Sequence, residues 1–130
     1  MAAEYLQVEL VAADRTVWSG RASMIIARTV EGDVGVLRGH APMLSLLTDA
    51  VVEITDDDGN VTVAAVDGGF LSVAADRVSV LSQHAVLSEE INIDEVKSEL
   101  DTARGLGASD EAERRIRRAE ARLRAVEHAS

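Results

Sequence analysis

In the stretch GDVGVLRGHAP, residues 32–42, an acid (Asp33), a guanidinium (Arg38) and an imidazole (His40) stand among three glycines and the chain's only proline. Asp33 and His40 are the residue types of a general acid–base pair, and a glycine-rich loop with a basic residue is the type that cradles phosphate. The chain supplies little else for either chemistry. The only lysine, Lys97, lies far from this loop, so there is no G-x-x-x-x-G-K-[ST] motif, and no G-x-S-x-G elbow occurs. No serine or cysteine nucleophile stands beside the pair. The chain has no cysteine at all, which removes disulfides and thiolate zinc sites and agrees with a reducing compartment. The other histidines, His84 and His128, fall in separate segments without ligand spacing, so no metal site is expected. Beside the catalytic reading stands a structural one. In it Gly32, Gly35 and Gly39 shape a loop, Pro42 stiffens its exit, and Val34, Val36, Met43, Leu44, Leu46 and Leu47 enter the core, with His40 a hydrogen-bonding lock.

The elements that must position these residues follow from the pattern around them. At 130 residues and 47% hydrophobic, the chain can bury one core with little left for a second. No window is apolar enough to span a bilayer and no signal-peptide pattern opens the chain, so a soluble intracellular protein is expected. The net charge of −10 disfavours nucleic acid and polybasic membrane docking. It is unevenly spread: residues 109–130 carry six arginines against five acids, and residues 1–108 seven basic residues against eighteen acids. Up to about Ser88 the signals are short strands. YLQVEL alternates Leu6, Val8 and Leu10 with polar residues; VVEIT and VTVAAV flank a DDDGN turn; FLSVA and VSVLS follow after further Gly and Asp punctuation. This spacing predicts an antiparallel sandwich or barrel.

Beyond Ser88 the period changes. Ile93, Val96, Leu100 and Ala103 step by three and four, Asn92 and Glu95 resemble a capping box, and Gly105 stands where a left-handed stop is expected. After GLGAS, Ser109 caps a second helix whose seam is Ala112, Ile116, Ala119, Leu123 and Val126. Arg114, Arg115, Arg118 and Arg122 flank that seam on one side, with Glu113, Glu120 and Glu127 on the other. The short connection makes the pair an antiparallel hairpin. Its alanine-rich seam predicts weak docking. The arginine edge reads either as a solvated flank pairing with its neighbour or as a surface for an acidic partner.

Together these residues carry a family resemblance that spans essentially the whole chain. Residues 32–42 resemble the Gly-acid-x-Gly-x-x-Pro-Gly-His-Ala-Pro signature of the ε subunits of bacterial and chloroplast F-type ATP synthases, equivalent to the mitochondrial δ subunit. Trp18-Ser19-Gly20, VDGGFLSV and VSVLSQHA match further family segments in order. The resemblance implies a β + α fold: an antiparallel β-sandwich of about ten strands over residues 1–88, then a regulatory two-helix hairpin over residues 89–130. It implies a non-catalytic rotor subunit, gripping the γ subunit and resting on the c-ring, whose hairpin reaches the α/β catalytic hexamer and restrains ATP hydrolysis. It places the protein peripherally on the cytoplasmic face of the bacterial cell membrane, as part of the synthase. Asp33, Arg38 and His40 map onto the loop that contacts the c-ring and γ, with Arg38 where the family has proline. No cofactor is implied, apart from a regulatory ATP that some members bind through Ile/Leu-Asp-x-x-Arg-Ala and later arginines. Here Ile93, Asp94, Arg118 and Arg122 match, while Lys97 and Ser98 replace the motif's Arg and Ala. A lysine keeps the charge and loses the planar fork. The alternatives are a helical-hairpin adaptor of another complex and a small β-barrel enzyme using Asp33 and His40.

Overall fold

A computed structural model describes residues 5–129. Eight strands form one continuous sheet: β1 (Leu6–Val11), β2 (Thr16–Ala22), β3 (Met24–Thr29), β4 (Gly32–Leu37), β5 (Met43–Thr55), β6 (Val61–Ala74), β7 (Arg77–Leu81) and β8 (Ala85–Leu87). Their order is β2-β1-β7-β6-β5-β3-β4, with β8 paired to β6 beside this path. All pairings are antiparallel except β1 with β7.

The sheet becomes a sandwich because its two longest strands change which side they bury. In β5, Leu47 is buried before Thr48, whereas Ala50, Val52 and Ile54 are buried after it. In β6, Ala64 and Val66 enter the core before Gly68-Gly69, and Leu71 and Val73 after it. Each strand switches parity at the same place, Leu47 lying opposite Gly69 and Asp49 opposite Asp67. Side chains alternate along a strand, so an inward set can move from odd to even positions only where the ladder is interrupted. Gly68 and Gly69 supply φ values of 71° and 112°, which residues with a side chain resist, and a Cβ on Gly69 would run into the Leu81 carbonyl. One half of the β5–β6 hairpin then belongs with β3 and β4, the other with β1 and β7. Leu6, Val8 and Leu10 of β1 thereby meet Ile25, Val36, Val52 and Ile54 across a single core. Eight strands stand where about ten were expected, because these two run unbroken through both layers.

A 3₁₀ turn, Ser88–Glu90, leads into α1 (Ile93–Arg104) and α2 (Asp110–Ala129). Asn92 Oδ1 accepts the Glu95 N–H at the start of α1, and Ser109 Oγ accepts the Ala112 N–H at the start of α2. The stop after α1 differs from expectation. Gly105 keeps a helical φ of −75° and its N–H still bonds back to the helix, and the left-handed conformation falls on Gly107 at 79°. Val96 and Leu100 pack on Ala119, flanked by Ile116 and Leu123. α2 also lies on the sheet, where Ala125 meets Val63 and Ala65 of β6. That explains the continuous run VTVAAV: this half of β6 is covered on both faces, so it does not alternate.

Candidate functional site

The glycine segment is a strand and a turn rather than a loop. Residues 32–37 pair with β3 along their whole length, placing Arg28 opposite Asp33, and Arg28 Nε lies 3.5 Å from Asp33 Oδ1 with both side chains exposed. Gly32 and Gly39 have positive φ, 119° and 79°, whereas Gly35 sits in regular register opposite Ile26. The chain reverses at Arg38-Gly39, where the His40 N–H bonds to Leu37 O. The Gly39 N–H donates to Asp76 Oδ1 at 2.6 Å. Asp76 and Ala75 form the tight β6–β7 turn with φ of 62° and 50°, so one carboxylate ties two turns together. His40 Nδ1 lies 2.6 Å from the carbonyl of its own neighbour, Ala41. Asp33 therefore pairs with Arg28 and His40 with local backbone; the two do not form a dyad.

Of the aliphatics expected in the core, Val36 and Leu47 are buried and Val34 and Met43 pack against them. Leu44 and Leu46 do not, being 73% and 52% exposed. They precede the parity switch at Thr48 and so share the outward side. Leu46 lies opposite Phe70, and Phe70 opposite Leu81, while Val30 donates its N–H to Leu46 O. All four side chains are about half exposed or more. A contiguous apolar row of this kind on an outer sheet face is the usual mark of a protein interface.

A second constellation lies under α2. Asp49 and Asp67 stand directly opposite each other on β5 and β6, largely buried. Burial raises the Asp49 pKa first, and the hydrogen bond and charge of Asp67 add to this, against Arg117. Arg118 Nε lies 2.7 Å from Asp67 Oδ2. Its buried N–H finds no hydrogen-bond acceptor, so the contact is an ion pair without a directed hydrogen bond. Arg117 Nε lies 3.6 Å from Asp49 Oδ2, and Arg124 reaches the Asp49 carbonyl at 3.5 Å. Further along, His128 Nδ1 is 3.3 Å from Glu53. The basic flank read from the sequence is therefore divided. Arg118 turns to the sheet, Arg122 to Glu99 of α1 at 3.6 Å, and Arg115 to Glu111 of its own helix at 2.9 Å. Between the helices a cleft of about 390 Å³ is lined by Ser98, Glu99, Thr102, Arg115, Arg118 and Arg122. Ile93, Asp94 and Lys97 are not among its lining residues.

Residues 5–88 match the family model for the β-sandwich domain of the ATP synthase delta/epsilon chain. The chain is 48% identical over 126 residues to the ATP synthase epsilon chain of Streptomyces griseus, covering 97% of this chain and 98% of that one. It is 46% identical to that of Corynebacterium diphtheriae, covering 93% of each. The chain belongs to the ATP synthase epsilon chain family. The epsilon-chain fold also recurs in a cryo-EM structure of the Euglena gracilis mitochondrial ATP synthase, with TM-score 0.75 and 24% identity over 98% of this chain and 80% of that one. A Tetrahymena thermophila central stalk and c-ring structure gives TM-score 0.67 and 17% identity over 97% and 99% of the two chains.

Sequence reasoning missed the Leu46–Phe70–Leu81 row and the Asp49–Asp67 pair. The first left a signal, since Phe70 is the only phenylalanine and follows the two glycines directly. The second left none, because a cross-strand pair appears only once the register is known. The Trp18-Ser19-Gly20 segment has a local reason: the Trp18 indole lies over Gly20, where an added Cβ would come within 3.3 Å of the ring.

Proposed function

We propose that this chain is a non-catalytic subunit of the central-stalk rotor of an F-type ATP synthase. It couples rotation of the c-ring and γ to ATP synthesis. The observation that carries this reading is near-full-length similarity, through sandwich and hairpin alike, to chains named ATP synthase epsilon chain. The two structural neighbours are solved in ATP synthase assemblies, one of them a central stalk with its c-ring. Residues 1–88 and 89–130 act as separate domains in this reading. The sandwich presents Asp33, Arg38 and His40, together with the apolar row, to γ and the c-ring; the hairpin lifts toward the catalytic hexamer of α and β subunits and restrains hydrolysis. The subunit works at the cytoplasmic face of the membrane that holds the complex, and no described helix is long and apolar enough to cross it.

Affinity capture from membranes with the full chain as bait should recover γ as the main partner; recovery without γ would overturn the assignment. Deleting residues 89–130 should raise ATP hydrolysis by the assembled enzyme, and an unchanged rate would remove the restraining role. A second reading, a regulatory nucleotide between the helices, is favoured by the three arginines lining that cleft. Calorimetric titration of ATP into the full chain, with and without Arg118→Gln and Arg122→Gln, tests it.

A further inference from the structure

We propose that the Asp49–Asp67 pair is a catch for the hairpin: two carboxylates opposed across the sheet, whose mutual repulsion is relieved when Arg117 and Arg118 of α2 close over them. The inference rests on the reading that the hairpin can leave the sheet, and it names what holds it there.

The register sets up the repulsion. Asp49 and Asp67 are direct cross-strand neighbours where β5 and β6 change parity, and like charges so placed destabilise a sheet. Neither carboxylate can swing far into water, since their side chains are only 21% and 12% exposed. β6 and the loop after β7 fix Asp67 further, because its N–H contacts both Ser82 Oγ at 3.1 Å and His84 O at 3.1 Å. The compensation comes from α2 alone among the described ion pairs, as Arg117 to Asp49 and Arg118 to Asp67. Arg124 adds its contact to the Asp49 carbonyl; Glu120 of α2 and His84 also border the pair. The apolar part of the same contact sets a small helix residue, Ala125, against Val63 and Ala65, with Val51, Val86 and Ile91 partly buried around them. The charged part of the docking energy, unlike the apolar part, is screened by salt.

The test uses the full chain, which has no cysteines of its own. Asn60→Cys and Glu127→Cys place one spin label on the β5–β6 turn and one on α2, and the distance distribution is recorded from low to molar salt. Three backgrounds are compared: otherwise wild type, Arg117→Gln/Arg118→Gln, and Asp49→Asn/Asp67→Asn. The arginine variant leaves every sheet residue unchanged, so it keeps the question answerable even if the paired Asn variant folds poorly. Wild type should shift from the docked to a longer distance as salt rises. The arginine variant should start with a docked-to-lifted ratio lower by about fivefold, as expected for two partly exposed ion pairs, and both variants should lose most of the salt dependence. Two populations with unchanged ratio and salt response in the variants would overturn the catch and leave a mobile hairpin standing. A single distance in every background up to molar salt would overturn both.

Discussion

The sandwich and the hairpin are held by different physics. Inside the sandwich, Leu6, Leu10, Ile25, Ile54 and Leu71 are essentially fully buried, each side chain worth on the order of 2 kcal/mol in removed apolar surface. Where α2 meets the sheet, the helix buries Ala125 against Val63 and Ala65, with Val51, Val86 and Ile91 only partly buried beside them, and three ion pairs flank the contact. Bulky aliphatic packing makes one unit that opens all together. Small residues and partly exposed ion pairs make a joint that can part without disturbing what lies on either side. A moving hairpin on a fixed body needs that contrast.

The contrast can be attacked at three depths. Gly69→Ala strikes the body: its Cβ would meet the Leu81 carbonyl at a backbone conformation only glycine adopts freely. A loss of about 3 kcal/mol or more is expected, read as a cooperative fall of the chemical denaturation midpoint. A change confined to the hairpin would break the comparison. Ala125→Leu strikes the joint, adding volume at a fully buried position against Val63 and Ala65. It should cost about 1–3 kcal/mol of docking, seen as faster tryptic cleavage after Arg117 and Arg124, with the near-ultraviolet signal of Trp18 unchanged. If Trp18 changed in parallel, joint and body would be one cooperative unit.

The smallest effect is expected at the connector, where Arg15 grips Glu90 with two contacts of 2.9 and 2.7 Å. The Arg15 guanidinium, then the Leu87 N–H, hold the Glu90 pKa below the usual glutamate range. A depressed carboxyl stabilises the fold above its unfolded pKa of about 4.3 and loses that contribution as pH falls through the folded value. Arg15→Ala should therefore melt slightly below wild type at neutral pH, and the two curves should converge below the normal glutamate range. A difference that persisted in acid would point to packing instead of charge.

Much of the body was legible in the sequence. Leu6, Val8 and Leu10 alternate cleanly, DDDGN closes its turn through Asp56 Oδ1 accepting the Asp58 and Asn60 N–H groups, and both helices begin at their capping residues. Periodicity reports such features because each depends on neighbours in the chain. Leu44 and Leu46 were misplaced because parity reverses at Thr48, and that reversal depends on how β5 meets Gly68 and Gly69 of the neighbouring strand, some twenty residues further along the chain. The left-handed residue after α1 was displaced to Gly107 because a second glycine was available and α1 continues its bonding through Gly105. The arginine flank was visible as a pattern, but its division among Asp67, Glu99 and Glu111 is decided by tertiary packing.

The two-sided coverage of the first half of β6 has a cost away from the docked state. When α2 leaves, Val63 and Ala65 become a strip of bare aliphatic strand on a protein with ample negative charge elsewhere. Solubility would then depend on electrostatic repulsion between molecules to keep those strips apart. Preparations lacking the helices should scatter light increasingly with protein concentration and with added salt, whereas the intact chain should stay clear at the low salt that keeps α2 docked.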